Sequence, residues 1–275
     1  MASSRFFSKI LLLAGFTISI LFTACGGSKP ASSTNSKENE LRVMAYNIHH
    51  AAPIGEEEVD LDGIAQAIKR ENPHLVALQE VDADTERSGP GNQAAMLAEK
   101  LDMHYFFAKA IDYGGGDYGL AVLSQYPILE EESFFLPHVT EGSEQRVLAL
   151  IKVQLPTGKE VRFGSVHLDY RRDSRDRLKQ LEEIVNVTSK DDLPVILAGD
   201  FNAQPDSETM ETVYRHFEPT CSECEPTFPA DNPDKTIDFV VYKDSDEIFE
   251  LFENRVVEEP RASDHRPVLV VLKEK

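Results

Sequence analysis

Apolar and polar positions alternate in blocks from residue 41 to the end of the chain, and the blocks switch between strand and helix periodicity. Short apolar runs bounded by turn residues predict strands. The predicted strands are 41–47, 74–81, 105–108, 119–124, 128–136, 146–155, 161–168, 194–198, 236–242, 248–252 and 267–272. Apolar residues at helical spacing predict helices over 59–70, 92–101 and 173–188. Because no Ser- or Gly-rich break divides this region, we predict one domain over 41–275.

The first residues have the pattern of an export signal. Arg5 and Lys9 precede an apolar run over 10–24, which is shorter than the roughly 20 residues that a membrane-spanning helix needs. A basic start, a short apolar run and small residues at its end predict a signal peptide over 1–24. The polar residues that follow predict a flexible tether over 25–40.

The end of the apolar run, LFTAC over 21–25, resembles a bacterial lipoprotein box. The resemblance implies that Cys25 carries lipid and becomes the first residue of the mature chain. Gly26 after it implies the outer membrane, so we expect a lipid-anchored protein of the cell envelope. A plain signal peptide with an incidental cysteine is the alternative.

The other two cysteines are close together in the chain. Cys221 and Cys224 lie between Pro219 and Pro226, which is typical of a loop rather than of a helix start. No further soft ligands are spaced for zinc. We expect a small structural disulfide, with free thiols as the alternative and no catalytic role.

The charge of the chain restricts its partners. Its 48 acidic and 28 basic side chains give a formal charge of −20. A surface this acidic repels phosphate backbones at long range, so we do not expect extended binding to nucleic acid. A local site for one phosphate beside a cation remains compatible with this charge.

Polar side chains fall at or just after the ends of the apolar strands. They are Asn47, Glu80, His167, Asp200, Asn202, Asp238, Asp264 and His265. Strand ends that meet at one edge of a sheet converge on one site. Hard oxygen ligands without a thiolate suit Mg²⁺ or Mn²⁺ better than zinc. The pattern therefore predicts a site for Mg²⁺ or Mn²⁺ at one edge of the fold.

Six segments, in order, resemble the motifs of the endonuclease/exonuclease/phosphatase family. They are MAYNIH at 44–49, ALQEV at 77–81, SVHLD at 165–169, LAGDFNA at 197–203, IDFVV at 237–241 and SDHRPV at 263–268. The resemblance spans 41–272. It implies the DNase I-like fold of the α/β (α+β) class, a four-layer, two-sheet β-sandwich flanked by helices with the site at its rim.

The resemblance also implies a role for each polar residue. Asn47 and Glu80 would bind the metal, with Asp264 beside the metal or the attacking water. Asp238 would accept a hydrogen bond from His265. Asp200 would align or deprotonate the water, with the His265–Asp238 pair as the alternative base. Asn202 and His167 would donate to phosphoryl oxygens. The implied chemistry is in-line attack of water on phosphorus.

Other side chains have two interpretations at this stage. Arg146 is either a substrate-binding residue, as in some family members, or a charge at a strand end. For the remaining residues we expect structural roles. Arg87 should lie at the tip of a loop, and the rings of His49 and His50 should be hydrogen-bonded or exposed to solvent. Tyr118 and Tyr170 should pack against neighbouring side chains, and the start of the helix over 173–188 should be solvated. The arginines of that helix start are Arg171, Arg172, Arg175 and Arg177.

The sequence thus predicts a metal-dependent phosphoesterase that is anchored to a membrane and monomeric. The expected activity is that of a phosphodiesterase on a small phosphorylated compound or a phospholipid head group. One alternative is an envelope endonuclease or exonuclease that scavenges DNA or RNA. Another is a non-catalytic lipoprotein that keeps the fold as a binding module.

Overall fold

The computed structural model describes residues 39–190, 192–244 and 246–275. Contacts divide the chain into Met1–Ser33 and Thr34–Lys275, and every described residue belongs to the second unit. The predicted signal peptide, Cys25 and nearly all of the predicted tether lie outside the described residues. Among the helices that are described, none has the length and apolar character needed to cross a membrane.

The described part of the chain alternates strands with a few helices. Its strands are β1 (Glu40–Asn47), β2 (Leu75–Ala83), β3 (His104–Tyr113), β4 (Gly116–Ser124), β5 (Ile128–Leu136), β6 (Arg146–Gln154), β7 (Glu160–His167), β8 (Val195–Asp200), β9 (Glu218–Pro219), β10 (Asp238–Lys243), β11 (Phe249–Val256) and β12 (Val268–Glu274). Its helices are α1 (Leu61–Glu71), α2 (Gln93–Leu101), α3 (Arg175–Thr188) and α4 (Glu208–Val213), with a 3₁₀ turn over His49–Ala51.

The strands form two six-stranded sheets. The first has the order β11-β12-β1-β2-β4-β3 and the second β5-β6-β7-β8-β10-β9. Apolar side chains of the two inner faces make a common core, which includes Val43, Ala149, Ile196 and Val270. Helices α1 and α2 cover the outer face of the first sheet, and α3 and α4 cover that of the second. This four-layer sandwich confirms the predicted fold class.

Two parallel strand pairs bring the site to one rim. Strands β1 and β2 are parallel, as are β7 and β8, and each pair is joined by a crossover that contains a helix. Register pairs Asn47 with Gln79 and His167 with Asp200. The polar ends of these strands therefore lie side by side in each sheet.

The two sheets are joined directly beneath these strand ends. Gln79 donates from Nε2 to Ser165 Oγ at 2.9 Å, and Ser165 donates to Leu78 O at 3.0 Å. Gly199 has a φ of +149°, and a Cβ there would lie 2.0 Å from Val166 O and 3.0 Å from Gln79 Nε2. Only glycine fits this approach, which holds β8 close to β7 and to the first sheet.

Some elements differ from those predicted. Strand β3 runs to Tyr113, beyond the predicted 105–108. The prediction was too short because β3 is an edge strand with many exposed positions, which weakens its apolar pattern. Helix α4 and the two-residue β9 were not predicted, since each is too short to show a periodic pattern. The expected loop disulfide is present between Cys221 and Cys224.

Candidate active site

The end of the first parallel pair contributes Asn47 and Glu80. Asn47 is the last residue of β1 and is fully buried. Glu80 lies at a β-bulge, where the pairing of β2 with β4 shifts between Leu78 and Val81, and its φ is +58°. Such a backbone costs on the order of 1 kcal/mol for a non-glycine residue and is typical of functional sites. Asn47 Nδ2 donates to Glu80 Oε1 at 3.1 Å.

The second sheet contributes three adjacent residues through its register. His167 ends β7, Asp200 ends β8 and Asp238 begins β10. The parallel ladder pairs His167 with Asp200, and the antiparallel ladder pairs Asp200 with Asp238. All three side chains are buried.

His265 comes from the loop before β12, and this loop is attached to β1. Ser263 Oγ donates to Asn47 O at 2.7 Å. His265 donates from Nδ1 to Asp238 Oδ2 at 2.9 Å, and Thr227 Oγ1 donates to the same oxygen at 2.6 Å. Asp238 thus places the proton on Nδ1 and leaves His265 Nε2 facing Asp200.

Asp200 Oδ2 is the point at which these groups meet. Asn47 Nδ2 lies 3.2 Å from it, His167 Nε2 3.5 Å and His265 Nε2 3.8 Å. Groups from both sheets therefore converge on one carboxylate oxygen. The structure brings together Asn47, Glu80, His167, Asp200, Asp238 and His265, as the strand ends predicted.

Burial and charge shift the pKa values of these groups. Burial alone would lower the pKa of His265, but Asp238 and Asp200 raise it above the usual value for histidine. Burial and the charge of Asp238 also raise the pKa of Asp200. Burial and the charges of Arg146 and His265 lower the pKa of His167 well below its usual value. His265 is therefore the protonated ring and His167 the neutral one.

The other three predicted site residues lie around this centre. Asn202 donates from its backbone N to Asp200 Oδ1 at 2.8 Å and from Nδ2 to Leu168 O at 3.0 Å. Asp264 lines the same cleft as Asp200 and His265. Arg146 also lines it and is 5% exposed, with its guanidinium 3.2 Å from Glu144 Oε1.

The cleft has a volume of about 980 Å³ and a partly cationic wall. Its basic residues are Arg146, Arg171, Arg172, Arg177 and Lys235. The prediction of a solvated helix start is wrong for Arg177, which is buried and donates to Asp169 O at 2.8 Å. The interleaved acids suggested solvent exposure, whereas the chain turns here and directs three of the four arginines to the cleft. Tyr118 and Tyr170 also line it, and Tyr170 is 64% exposed.

The donor set of this cleft fits a hard divalent cation. Glu80, Asp200 and Asp264 supply carboxylate oxygens, the ligands that Mg²⁺ and Mn²⁺ prefer, and no cysteine among the described residues lines the cleft. Asn47 presents its amide nitrogen to Glu80 and Asp200, while its Oδ1 accepts from His49 N at 3.1 Å. To serve as a ligand, this amide must turn so that Oδ1 faces Glu80.

Two groups near Glu80 are more ordered than the sequence indicated. Arg87 is not a simple loop tip, because it donates to buried Asp82 through Nε at 2.7 Å and Nη2 at 2.8 Å. Its guanidinium also lies 4.4 Å from the centre of the Tyr113 ring.

His49 and His50 follow Asn47 in a left-handed turn beside Glu80. The signal in the sequence for this turn was the pair of histidines that begins two residues after Asn47.

Comparison with known proteins places this geometry in context. Residues 44–265 match the model of the Endonuclease/Exonuclease/phosphatase family. The uncharacterized protein YbhP of Escherichia coli strain K12 is 28% identical over 176 residues, which cover 61% of this chain and 68% of YbhP.

Solved structures share the fold. An endonuclease/exonuclease/phosphatase from Beutenbergia cavernae DSM 12333 superposes with a TM-score of 0.70 at 24% identity, covering 86% of this chain and 72% of that one. The mannosyl-6-phosphatase Bt3783 of Bacteroides thetaiotaomicron VPI-5482 gives a TM-score of 0.64 at 18% identity, covering 84% and 99%.

Proposed function

The chain belongs to the endonuclease/exonuclease/phosphatase family, whose members hydrolyse phosphoesters, and on that premise we propose that it is a metal-dependent phosphodiesterase for a small substrate. The substrate class we propose is a small phosphorylated compound or a phospholipid head group. One observation carries the proposal most directly: Asp200, paired with the His265–Asp238 dyad, lies in a cleft whose wall is cationic.

Glu80, Asn47 and Asp264 are the residues that we propose to hold Mg²⁺ or Mn²⁺. The carboxylates are hard oxygen ligands, and the bulge at Glu80 fixes the position of its backbone. When bound, such a cation would neutralise the negative charge that develops on the phosphate oxygens.

Asp200 and His265 act together on the attacking water in this proposal. The raised pKa of His265 keeps a proton on each of its ring nitrogens, so Asp200 is the group that can accept the proton of the water. As the water oxygen bonds to phosphorus, the opposite bond from phosphorus to the ester oxygen breaks, and the ester oxygen leaves with that electron pair and takes a proton from solvent. The proton of the water passes to Asp200 Oδ2. Before this transfer the imidazolium of His265, 3.8 Å from Oδ2, stabilises the negative charge of the carboxylate.

Neighbouring donors stabilise the transition state. His167, which is neutral, and Asn202 line the same cleft as Asp200 and can donate to phosphoryl oxygens. Arg146 is nearly buried in the same wall, so its charge is weakly screened by solvent. These groups are fixed by strand ends, which lowers the reorganisation that the reaction requires.

The cleft supports a small substrate with more than one anionic group. Its volume of about 980 Å³ accommodates one compact molecule. Arg172 and Lys235 at its wall add positive charge locally, while the whole chain carries −20. That net charge disfavours capture of a long nucleic acid. Since all of these residues come from one chain, we propose that it acts as a monomer.

A panel of phosphoesters tests the substrate class. We expect the purified full chain with Mg²⁺ to hydrolyse bis-p-nitrophenyl phosphate and at least one phospholipid or sugar-phosphate ester, measured by release of the alcohol. Sugar phosphates belong in the panel because a protein of the same fold is named a mannosyl-6-phosphatase. A chain that nicks plasmid DNA at low salt but leaves every small ester intact would reverse this choice in favour of a nuclease.

The same proposal includes an envelope location. A signal over residues 1–24 followed by Cys25 supports a lipid anchor in the outer membrane. Cells that express the chain and are fed radioactive palmitate should label it, and the Cys25→Ala chain should stay unlabelled. Equal labelling of both chains, or of neither, would remove Cys25 as the lipidated residue.

A further inference from the structure

We propose that His49, His50 and Glu80 form a second cation site, which takes a borderline cation such as Zn²⁺ or Co²⁺. This second site goes beyond the proposed function, and it shares only Glu80 with the proposed Mg²⁺ or Mn²⁺ site. One ring nitrogen of each histidine and one carboxylate oxygen of Glu80 lie within 4.8 Å of one another. Ligand atoms around a tetrahedral Zn²⁺ lie about 3.4 Å apart, so small side-chain rotations complete the site.

The tautomer of His49 is set for metal binding. Its Nδ1 lies 3.2 Å from Ala52 O, and because a carbonyl oxygen only accepts, Nδ1 carries the proton. This leaves Nε2 with its lone pair. Histidines that bind metals typically donate their other ring nitrogen to a carbonyl or carboxylate in this way.

One ring nitrogen of His50 is unsatisfied. Its Nδ1 is buried and has no hydrogen-bond partner among the described residues. An unpaired buried polar atom costs about 1–3 kcal/mol, and a bond to a cation would remove that cost. The His50 backbone is held in place because its carbonyl accepts from Gln93 Nε2 at 2.7 Å.

A left-handed turn of the backbone places both histidine rings beside Glu80. His49, His50 and Ala51 have φ values of +47°, +45° and +60°, a left-handed turn of three consecutive non-glycine residues. Each costs on the order of 1 kcal/mol. Hydrogen bonds at the end of the turn hold it, from Asp60 N to Ala51 O at 2.6 Å and from Ala52 N to His49 O at 2.9 Å.

The surrounding charges are compatible with a cation. Arg87 is the nearby basic side chain, and its guanidinium is paired with both oxygens of Asp82, which reduces its field at the histidines. Glu80 Oε1 accepts from Asn47, and its carboxylate has a second oxygen. Two nitrogens and one oxygen select Zn²⁺ or Co²⁺ over Mg²⁺, which prefers oxygen ligands.

Cobalt absorption tests this site without any turnover. Co²⁺ is added to the full chain in mild detergent and excess Mg²⁺, and the visible spectrum is recorded. We expect one equivalent to give the intense band of a four- or five-coordinate site, and Zn²⁺ to abolish it. No band, or a band that Mg²⁺ removes, would overturn the proposal.

Three variants locate the ligands. His49→Asn and His50→Asn introduce a residue that tolerates positive φ, so both variants should fold, which circular dichroism checks. Each variant should bind Co²⁺ at least tenfold more weakly than the wild type. His138→Asn is the matched control, because His138 is exposed. A band that survives in both site variants, or that His138→Asn removes, would contradict the assignment. A chain inactive on every ester still gives this result, so it is separable from the proposed function.

Discussion

Replacement of His265 by Gln is expected to lower kcat for bis-p-nitrophenyl phosphate by about 1,000-fold, or about 4 kcal/mol of transition-state stabilisation. The amide of the new side chain keeps a donor for Asp238 Oδ2, so the buried carboxylate retains a partner. What is lost is the positive charge 3.8 Å from Asp200 and the donor at Nε2. Steady-state kinetics at saturating Mg²⁺ measure the effect.

His138→Gln is the control for this variant, since that ring is exposed and lies outside the residues that line the cleft. Both proteins should melt within a few degrees of the wild type, which separates a loss of chemistry from a loss of fold. Wild-type kcat in a folded His265→Gln chain would show that the dyad takes no part in hydrolysis.

Replacement of Glu80 is expected to change the Mg²⁺ requirement strongly. Glu80→Ala should raise the Mg²⁺ concentration for half-maximal activity about 100-fold, because a charged oxygen ligand is lost. Ala and Glu both sit poorly at a φ of +58°, so the change in backbone strain is small. A Mg²⁺ titration of the hydrolysis rate measures the shift.

Two further variants sharpen that result. Glu80→Gln keeps the shape of the side chain and should produce a shift in the same direction. Glu86→Ala removes an exposed acid from the loop after β2 and should leave the titration where it was. An unchanged Mg²⁺ titration in Glu80→Ala would count against Glu80 as a ligand.

The strand ends account for most of what the sequence could predict. Apolar runs identify buried strands, and the polar residue that ends or begins a run marks the rim: Asn47 and Asp200 end their strands, and Asp238 begins its strand. The order of six motifs then identified the family and its sandwich, which the family match and the sheet order confirm. The residue roles and the metal stay predictions.

The features that were missed depend on backbone geometry that side-chain patterns do not encode. The bulge that displaces Glu80 from its ladder and the left-handed turn at His49 are set by contacts distant in the sequence, such as Gln93 with His50. Arg177 was expected in solvent because acids interleave with it, yet its guanidinium caps carbonyls inside the fold. Periodicity in the sequence shows which face of a helix or strand is apolar, but it does not show where a loop lies in the folded chain.

Net charge and local charge act at different ranges in this protein. A surface of −20 repels polyanions that come within a Debye length of it, about 10 Å at 0.1 M salt. Arg146, Arg172 and Lys235 line the cleft, and the charge of buried Arg146 is weakly screened there. The proposed preference for a small phosphoester over a long nucleic acid rests on this difference between net charge and local charge.

Hydrolysis of bis-p-nitrophenyl phosphate by the full chain, followed before and after chelation, shows whether the reaction needs the cation at Glu80. We expect a steady rate with Mg²⁺, its loss on adding EDTA, and its return when excess Mg²⁺ or Mn²⁺ is supplied. A rate that persists undiminished in EDTA would contradict the proposed cation site at Glu80.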